Sequence, residues 1–338
     1  MKKNLASAFA EICRRNEQKP AIFWGEREIA YGTLQRQTNW VAATLSGKFG
    51  VRKGDRVGIL LKNCPEFAPA VFGILQAGAA VVPINNFLKE SEVSYILADG
   101  EIDVLITETG VAEAIRGLDA KMLHVEEMAE AGEWTGEADL VESDLAVIIY
   151  TSGTTGHPKG AMLSHGNLLA NVESCRKVLS AVGEDRFLLA LPMFHSFMLT
   201  VCVLLPLLIG GSFVLVRTLH PPKNIVAEII RHRATIVPAV PQFFRALTHG
   251  GVPVDWPARL CISGGAPLPG EILKEFTERF PIPLLEGYGL SEASPVCSFN
   301  PVKGPWKAGS IGVPIIDVEM SVQDEAGKIL AAGETGEI

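Results

Sequence analysis

The feature that most constrains this chain is a change of hydrophobic period that repeats along it. "RVGILL" (56–61) is an apolar run of strand length, and "PEFAPAVFGILQAG" (65–78) then turns to helical spacing and stops at Gly78. "AAVVPI" (79–84) is the next strand. Short buried strands alternating with helices build parallel sheets covered by helices on both faces. "SEVSYILAD" and "IDVLIT" continue the pattern as helix and strand. A second series predicts strands at 145–150, 186–190, 212–216, 234–237, 259–263 and 283–286, and helices at 165–180, 198–209, 221–232, 241–248 and 269–279. Pro221 and Pro222 suit a first helical turn, where a missing N–H costs little.

The expected fold is α/β: repeated βα units in parallel-rich sheets flanked by helices. Approximate subdomains span 1–143 and 144–300. From "GSIGVP" onward, 301–338 has the short strands and Gly/Asp turns of a small β subdomain. Leu5, Phe9 and Ile12 share one helical face, so the N-terminus is an amphipathic helix without the apolar core of a signal peptide. The apolar stretch 197–211 is short for a bilayer and interrupted by Pro206, so no transmembrane segment is expected.

With 48% hydrophobic residues in 338, the chain supports a sizeable core. A net charge of −8 and no basic block give no footprint for nucleic acid. The six cysteines form no C-x-x-C pair and mostly have apolar neighbours, as packed thiols of a cytoplasmic protein do. Nothing suggests a His/Cys metal site.

"YTSGTTGHPKG" (150–160) follows the buried run "DLAVII". Its glycines let backbone N–H groups point inward as an anion nest, its hydroxyls add donors, and Lys159 adds a point charge. The expected order is strand, loop, lysine, helix. The Walker pattern is absent, because no Ser or Thr follows the lysine. A phosphate cradle is one reading of this loop, and a small polar surface loop is the other.

The loop resembles the phosphate-loop signature of the adenylate-forming (AMP-binding) superfamily of acyl-CoA synthetases, luciferases and peptide-synthetase adenylation domains. "LPMFHSF" (191–197), "SGGAPL" (263–268), "EGYGLSEAS" (286–294) and "GSIGVPIIDVEMSV" resemble further motifs of that family in the same order. The resemblance implies that a carboxylate attacks the α-phosphorus of ATP, giving acyl-AMP and pyrophosphate, and that a thiol, usually CoA, then takes the acyl group. It places Thr151, Ser152, Gly153, Thr154, Thr155, Gly156 and Lys159 on the β- and γ-phosphates. Gly265, Ala266 and Pro267 would line the adenine and acyl pocket, or simply form the turn after "LCIS". Tyr288 would stack on adenine between Gly287 and Gly289, with Glu286 at the start of the motif; alone, Tyr288 is an ordinary half-buried aromatic. Ser291 stands where the family usually has Thr and keeps a hydroxyl for the α-phosphate. Glu292 would bind Mg²⁺, or it is a solvated glutamate. His195 would orient the acid and admit the thiol, although a lone His among apolar residues is more often a core residue.

The apolar segment after His195 suits a fatty-acyl tunnel, and no Asp in 190–215 pairs an amino group. The implied activity is that of a fatty acid–CoA ligase for medium or long chains. Met198 would fill part of the tunnel, so Met198→Gly would shift chain-length preference. The alternatives are a ligase that loads an acyl carrier protein, and a non-catalytic nucleotide- or acyl-binding module. The family continues past "GETGEI" to a ribose-binding Asp and a mobile domain with a lysine. The expectation is therefore weak nucleotide binding and no measurable thioester formation by these 338 residues.

Overall fold

The computed structural model describes residues 4–338 other than 116, 130–133, 135, 137, 152–155, 219–222, 251–252 and 254–255. In chain order the first half contains α1 (Leu5–Arg15), β1 (Pro20–Trp24), β2 (Arg27–Ala30), α2 (Tyr31–Lys48), β3 (Arg56–Leu60), α3 (Phe67–Gln76), β4 (Ala80–Pro83), α4 (Glu90–Asp99), β5 (Ile102–Thr107), α5 (Thr109–Ala114) and β6 (Lys121–His124). Then come β7 (Leu145–Thr151), β8 (Lys159–Ser164), α6 (His165–Val178), β9 (Arg186–Leu189), α7 (Ser196–Met198), α8 (Leu205–Ile209), β10 (Ser212–Leu215), α9 (Lys223–Arg231) and β11 (Ile236–Ala239). The chain goes on through α10 (Pro241–His249), β12 (Leu260–Ser263), α11 (Gly270–Arg279), β13 (Leu284–Gly289), β14 (Val296–Phe299) and β15 (Val313–Pro314).

Two sheets carry the fold. One has six strands in the order β6-β5-β3-β4-β7-β8, and the other nine in the order β15-β14-β13-β12-β11-β9-β10-β1-β2. Pairing is parallel except for β8, β2, β14 and β15 at or near the edges. The fold is thus parallel-rich α/β, as the alternating periodicity requires. The sheets do not follow the chain division at 143/144. β1 crosses to pair with β10 in the nine-stranded sheet, while β7 joins β4 in the six-stranded one. An apolar strand pattern says that a strand is buried on both faces, not which sheet edge accepts it. Beyond 301 the β structure consists of β15 and bridges from Gln323 to Ile329 and Glu337.

Two expectations change. After the polar loop the chain enters β8, antiparallel to β7, and reaches a helix only at His165. β7 and β8 are thus antiparallel neighbours, and no helix begins directly after Lys159. The helix expected at 198–209 is instead α7, a π-helical stretch at Leu199–Leu204 and then α8. Pro206 has no N–H to give and its ring crowds the preceding turn, which widens the helix there. Pro221 and Pro222 lie outside the described residues, and α9 is seen from Lys223.

Helix α1 closes one side of the core with Leu5, Phe9 and Ile12 buried, and Phe9 stacks on Phe72 of α3 at 3.7 Å between ring centres. Its first turn rests on α6: the Leu5 N–H donates to His165 Nδ1 at 3.2 Å. His165 has no exposed surface, and its Nε2 is buried without a partner. Desolvation lowers its pKa from 6.5 to about 4, against the attraction of nearby Asp144 and together with the repulsion of Lys53. A histidine held neutral by the fold contributes stability above its unfolded pKa and loses it as pH falls towards the folded one. Stability should therefore drop by about 2 kcal/mol between pH 7 and pH 5 through this group. Urea unfolding at the two pH values checks this, and His165→Asn, which keeps an acceptor but cannot charge, should flatten the difference.

Candidate active site

The residues singled out by motif sit at or beyond the C-terminal ends of parallel strands: Thr151 at the end of β7, His195 after β9, Gly264 and Gly265 after β12, and Tyr288 and Gly289 at the end of β13. That edge is where ligands bind in open α/β sheets, because the loops leaving parallel strands converge there. A cavity of about 320 Å³ opens among them. Thr151, His195, Ser291 and Glu292 stand at its polar end, and Phe197, Ile262, Val296 and Phe299 form its apolar end.

Hydrogen bonds knit the polar end together. Ser291 Oγ lies 2.9 Å from Ser196 Oγ, joining segments 95 residues apart. Thr151 Oγ1 donates to Glu292 Oε1 at 3.4 Å. Thr151 also sits opposite Lys159 in the β7/β8 ladder, so the two side chains leave the hairpin on one face. Lys159 is exposed on β8. His195 caps α7: its Nδ1 accepts from Phe197 N–H at 3.3 Å. His195 is exposed at the cavity rim, and partial desolvation of its ring lowers its pKa; in the neutral form, with Nδ1 accepting, the proton is on Nε2.

Gly265, Gly287, Tyr288 and Gly289 also line this cavity. Gly156 does not; it lines a second cavity of about 530 Å³, walled by Ile84, Leu88, Tyr150 and Phe194. Thr151, His195, Ser196 and Ser291 belong to both linings and form a neck between them. Ser152, Gly153, Thr154 and Thr155 lie outside the described residues.

Other expected residues stand elsewhere. Ala266 and Pro267 are exposed on the loop after β12, outside the cavity wall. Glu286 is buried, and its Oε1 accepts from Leu268 N–H at 2.8 Å, so it ties that loop to β13. Met198 corrects an expectation: it has no accessible surface and belongs to the core, not to a tunnel. A helix turns its side chains through 100° per residue, and here Phe197 faces the cavity while Met198 faces inward.

Sequence reasoning missed the residues that hold the walls. Asn63 Nδ2 donates to Leu191 O at 2.9 Å and its Oδ1 accepts from Met193 N–H at 2.9 Å, which fixes the approach to His195. Asn171 Nδ2 donates to Val296 O at 2.8 Å and its Oδ1 accepts from Val296 N–H at 3.3 Å. Both are single asparagines in unremarked sequence, with no motif around them. Among the described residues no group of three His, Cys, Asp or Glu could hold a metal ion, and no helix is long and apolar enough to cross a membrane. Every cysteine is free.

The sequence profile described as AMP-binding enzyme matches residues 9–338. A feruloyl-CoA synthase from Amycolatopsis sp is 32% identical over 335 residues, covering 96% of this chain and 67% of that protein. A long-chain-fatty-acid–CoA ligase from Bacillus subtilis is 30% identical, covering 99% and 68%. The crystal structure of an anthranilate CoA ligase in complex with anthranoyl-AMP superposes with a TM-score of 0.88 at 26% identity, over 98% of this chain and 67% of that one.

The Asn171 clasp has a measurable consequence. Asn171→Ala leaves the buried N–H and C=O of Val296 unpaired and should cost about 2–3 kcal/mol. Chemical denaturation measures that loss, and Asn171→Asp, which sets an acceptor against the Val296 carbonyl and buries a charge, should cost at least as much.

Proposed function

Because the chain belongs to the AMP-binding enzyme family, whose members similar to it are acid–CoA ligases, we propose that it activates a carboxylic acid with ATP. The carboxylate oxygen bonds to the α-phosphorus, pyrophosphate leaves, and acyl-AMP forms. The thiol of CoA then attacks the acyl carbon and AMP leaves. The observation that carries this reading is the neck of Thr151, His195, Ser196 and Ser291 between two cavities. An acyl carbon held at that neck is reachable by phosphate from one side and by a thiol from the other.

The roles follow from chemistry and position. Two anions must meet in the first step, so catalysis is alignment and charge neutralisation. The Thr151 and Ser291 hydroxyls are donors for phosphate oxygens, and Lys159, on the same hairpin face as Thr151, supplies positive charge. His195, whose Nε2–H has no acceptor among the described residues, donates to the carboxylate and keeps it facing the α-phosphorus. Tyr288, half-buried in the cavity wall, offers a ring face to adenine. Glu292 is exposed and its carboxylate shares one long hydrogen bond, so it fits Mg²⁺ as a single protein ligand with phosphate oxygens completing the shell. Mg²⁺ bound there would neutralise charge on the leaving pyrophosphate.

The acid has an apolar body, since Phe197, Ile262, Val296 and Phe299 face it. A fatty acid was the sequence expectation, resting on the apolar stretch 197–211. In that stretch only Phe197 reaches the cavity, and Met198–Leu205 are core. Support for a fatty acid therefore comes from relatives such as the Bacillus subtilis ligase, and the feruloyl-CoA synthase supports an aryl acid equally.

The test is acid-dependent exchange of labelled pyrophosphate into ATP, across fatty and aromatic acids. Exchange with none of them overturns the proposal. Lys159→Ala should raise the KM for ATP by about ten- to a hundredfold, the loss of one charge-assisted contact. Its exposed position predicts a stability change within about 0.5 kcal/mol; a sharp fall in thermal stability would mean that Lys159 is structural instead.

A further inference from the structure

At the apolar end of the cavity two phenylalanine rings rest on glycine backbone. A Cβ placed on Gly264 would lie 3.1 Å from Phe197 Cζ and 3.2 Å from its Cε1. One placed on Gly287 would collide with the Phe299 ring. Carbon atoms in contact settle about 3.5–4 Å apart, so neither ring leaves room for a methyl group between itself and its glycine. Phe299 is itself fixed, with 2% of its surface exposed. Ile262 and Val296, both buried, fill the wall between the rings. Behind Phe197 every residue from Met198 to Leu205 is at most 1% exposed, so no channel continues into the helix.

Volume gives the limit. The cavity holds about 320 Å³. An apolar cavity of roughly 150 Å³ is enough for one benzene, so this one has room for about two such rings, or about a dozen carbon atoms. A sixteen-carbon chain on the same scale needs roughly 400 Å³. The same cavity must also admit the reacting carboxylate and phosphate and, at Tyr288, the adenine face, so the acid has only part of this volume.

We infer that this cavity is a slot blocked at its apolar end that admits compact acids, aromatic or of short to medium chain, and rejects long-chain fatty acids, with Phe197 and Phe299 as its size-limiting residues. The inference rests on the reading above that the cavity receives the acid. Phe197 is the adjustable wall, because it is only half-buried while Phe299 is locked.

The test is calorimetric binding of acyl-sulfamoyl adenosines, stable mimics of acyl-AMP, carrying benzoyl, octanoyl or hexadecanoyl groups. The benzoyl and octanoyl compounds should bind at least about a hundredfold more tightly than the hexadecanoyl one, the discrimination expected when several methylenes have no pocket. Phe197→Ala should improve hexadecanoyl binding by at least about tenfold and weaken benzoyl binding. Phe197→Leu provides the same comparison if the alanine variant does not fold. Gly264→Ala should act the opposite way, pushing the Phe197 ring into the slot and weakening octanoyl binding more than benzoyl. Hexadecanoyl binding to the parent protein as tight as octanoyl overturns the size limit while leaving the proposed ligase activity standing. If no acyl compound binds better than sulfamoyl adenosine itself, the assignment of the cavity to the acid falls, and the size limit with it.

Discussion

Parallel strand pairing is the constraint on which everything else in this molecule depends. Because β9, β11, β12 and β13 run the same way, their C-terminal ends share one edge, and whatever follows each strand emerges together. That is how His195, Gly264 and Tyr288, far apart in the chain, come to face one cavity. Thr151 reaches it from the other sheet, at the end of β7. The cavity therefore lies where the C-terminal edges of two sheets meet. The bond from Thr151 to Glu292 crosses that meeting, and the contact of Ser196 with Ser291 ties together two loops of the nine-stranded sheet beside it.

Loops at such an edge have few backbone partners of their own, and two asparagines provide them. Asn63 holds Leu191 and Met193, and Asn171 holds Val296, each with donor and acceptor both engaged. Glu286 does the same for the loop after β12 through Leu268 N–H. A buried polar group that completes its hydrogen bonds rigidifies its surroundings, whereas one left half-paired is costly. The walls of the cavity are thus set by groups that do not face it. In the proposed reaction this rigidity matters, because alignment of two anions is most of what the protein contributes.

Apolar packing decides the cavity's shape at its other end. Phe197 and Phe299 lie on the bare backbones of Gly264 and Gly287, which only glycine permits at that distance. The same long apolar run that looks like tunnel lining in the sequence is consumed by the core, where Leu199–Leu205 join one hydrophobic cluster with α1, α2 and α3. Burial of apolar surface drives both outcomes, and composition does not separate them.

Much of this protein is determined by its sequence alone. Strand 102–107 and the helix from His165 lie where hydrophobic period and flanking residues place them, because periods of two and 3.6 reflect backbone geometry that no distant contact alters. The ordered motifs around Thr151, His195, Gly265 and Tyr288 likewise identify the family, since each occupies a strand-to-loop junction. Tertiary structure alone decided which sheet received β1 and β7, since a buried strand pattern does not name its neighbour. It alone decided that β8 closes a hairpin after the polar loop, because "KGAMLS" is short and gains its partner only from β7. It also turned Phe197 outward and Met198 inward, a choice set by packing around a π-helical turn and not by either residue's chemistry. Asn63 and Asn171 were invisible beforehand for the same reason: a side-chain amide acquires its function from the backbone brought opposite it, and that backbone lies 125 residues away in the case of Asn171.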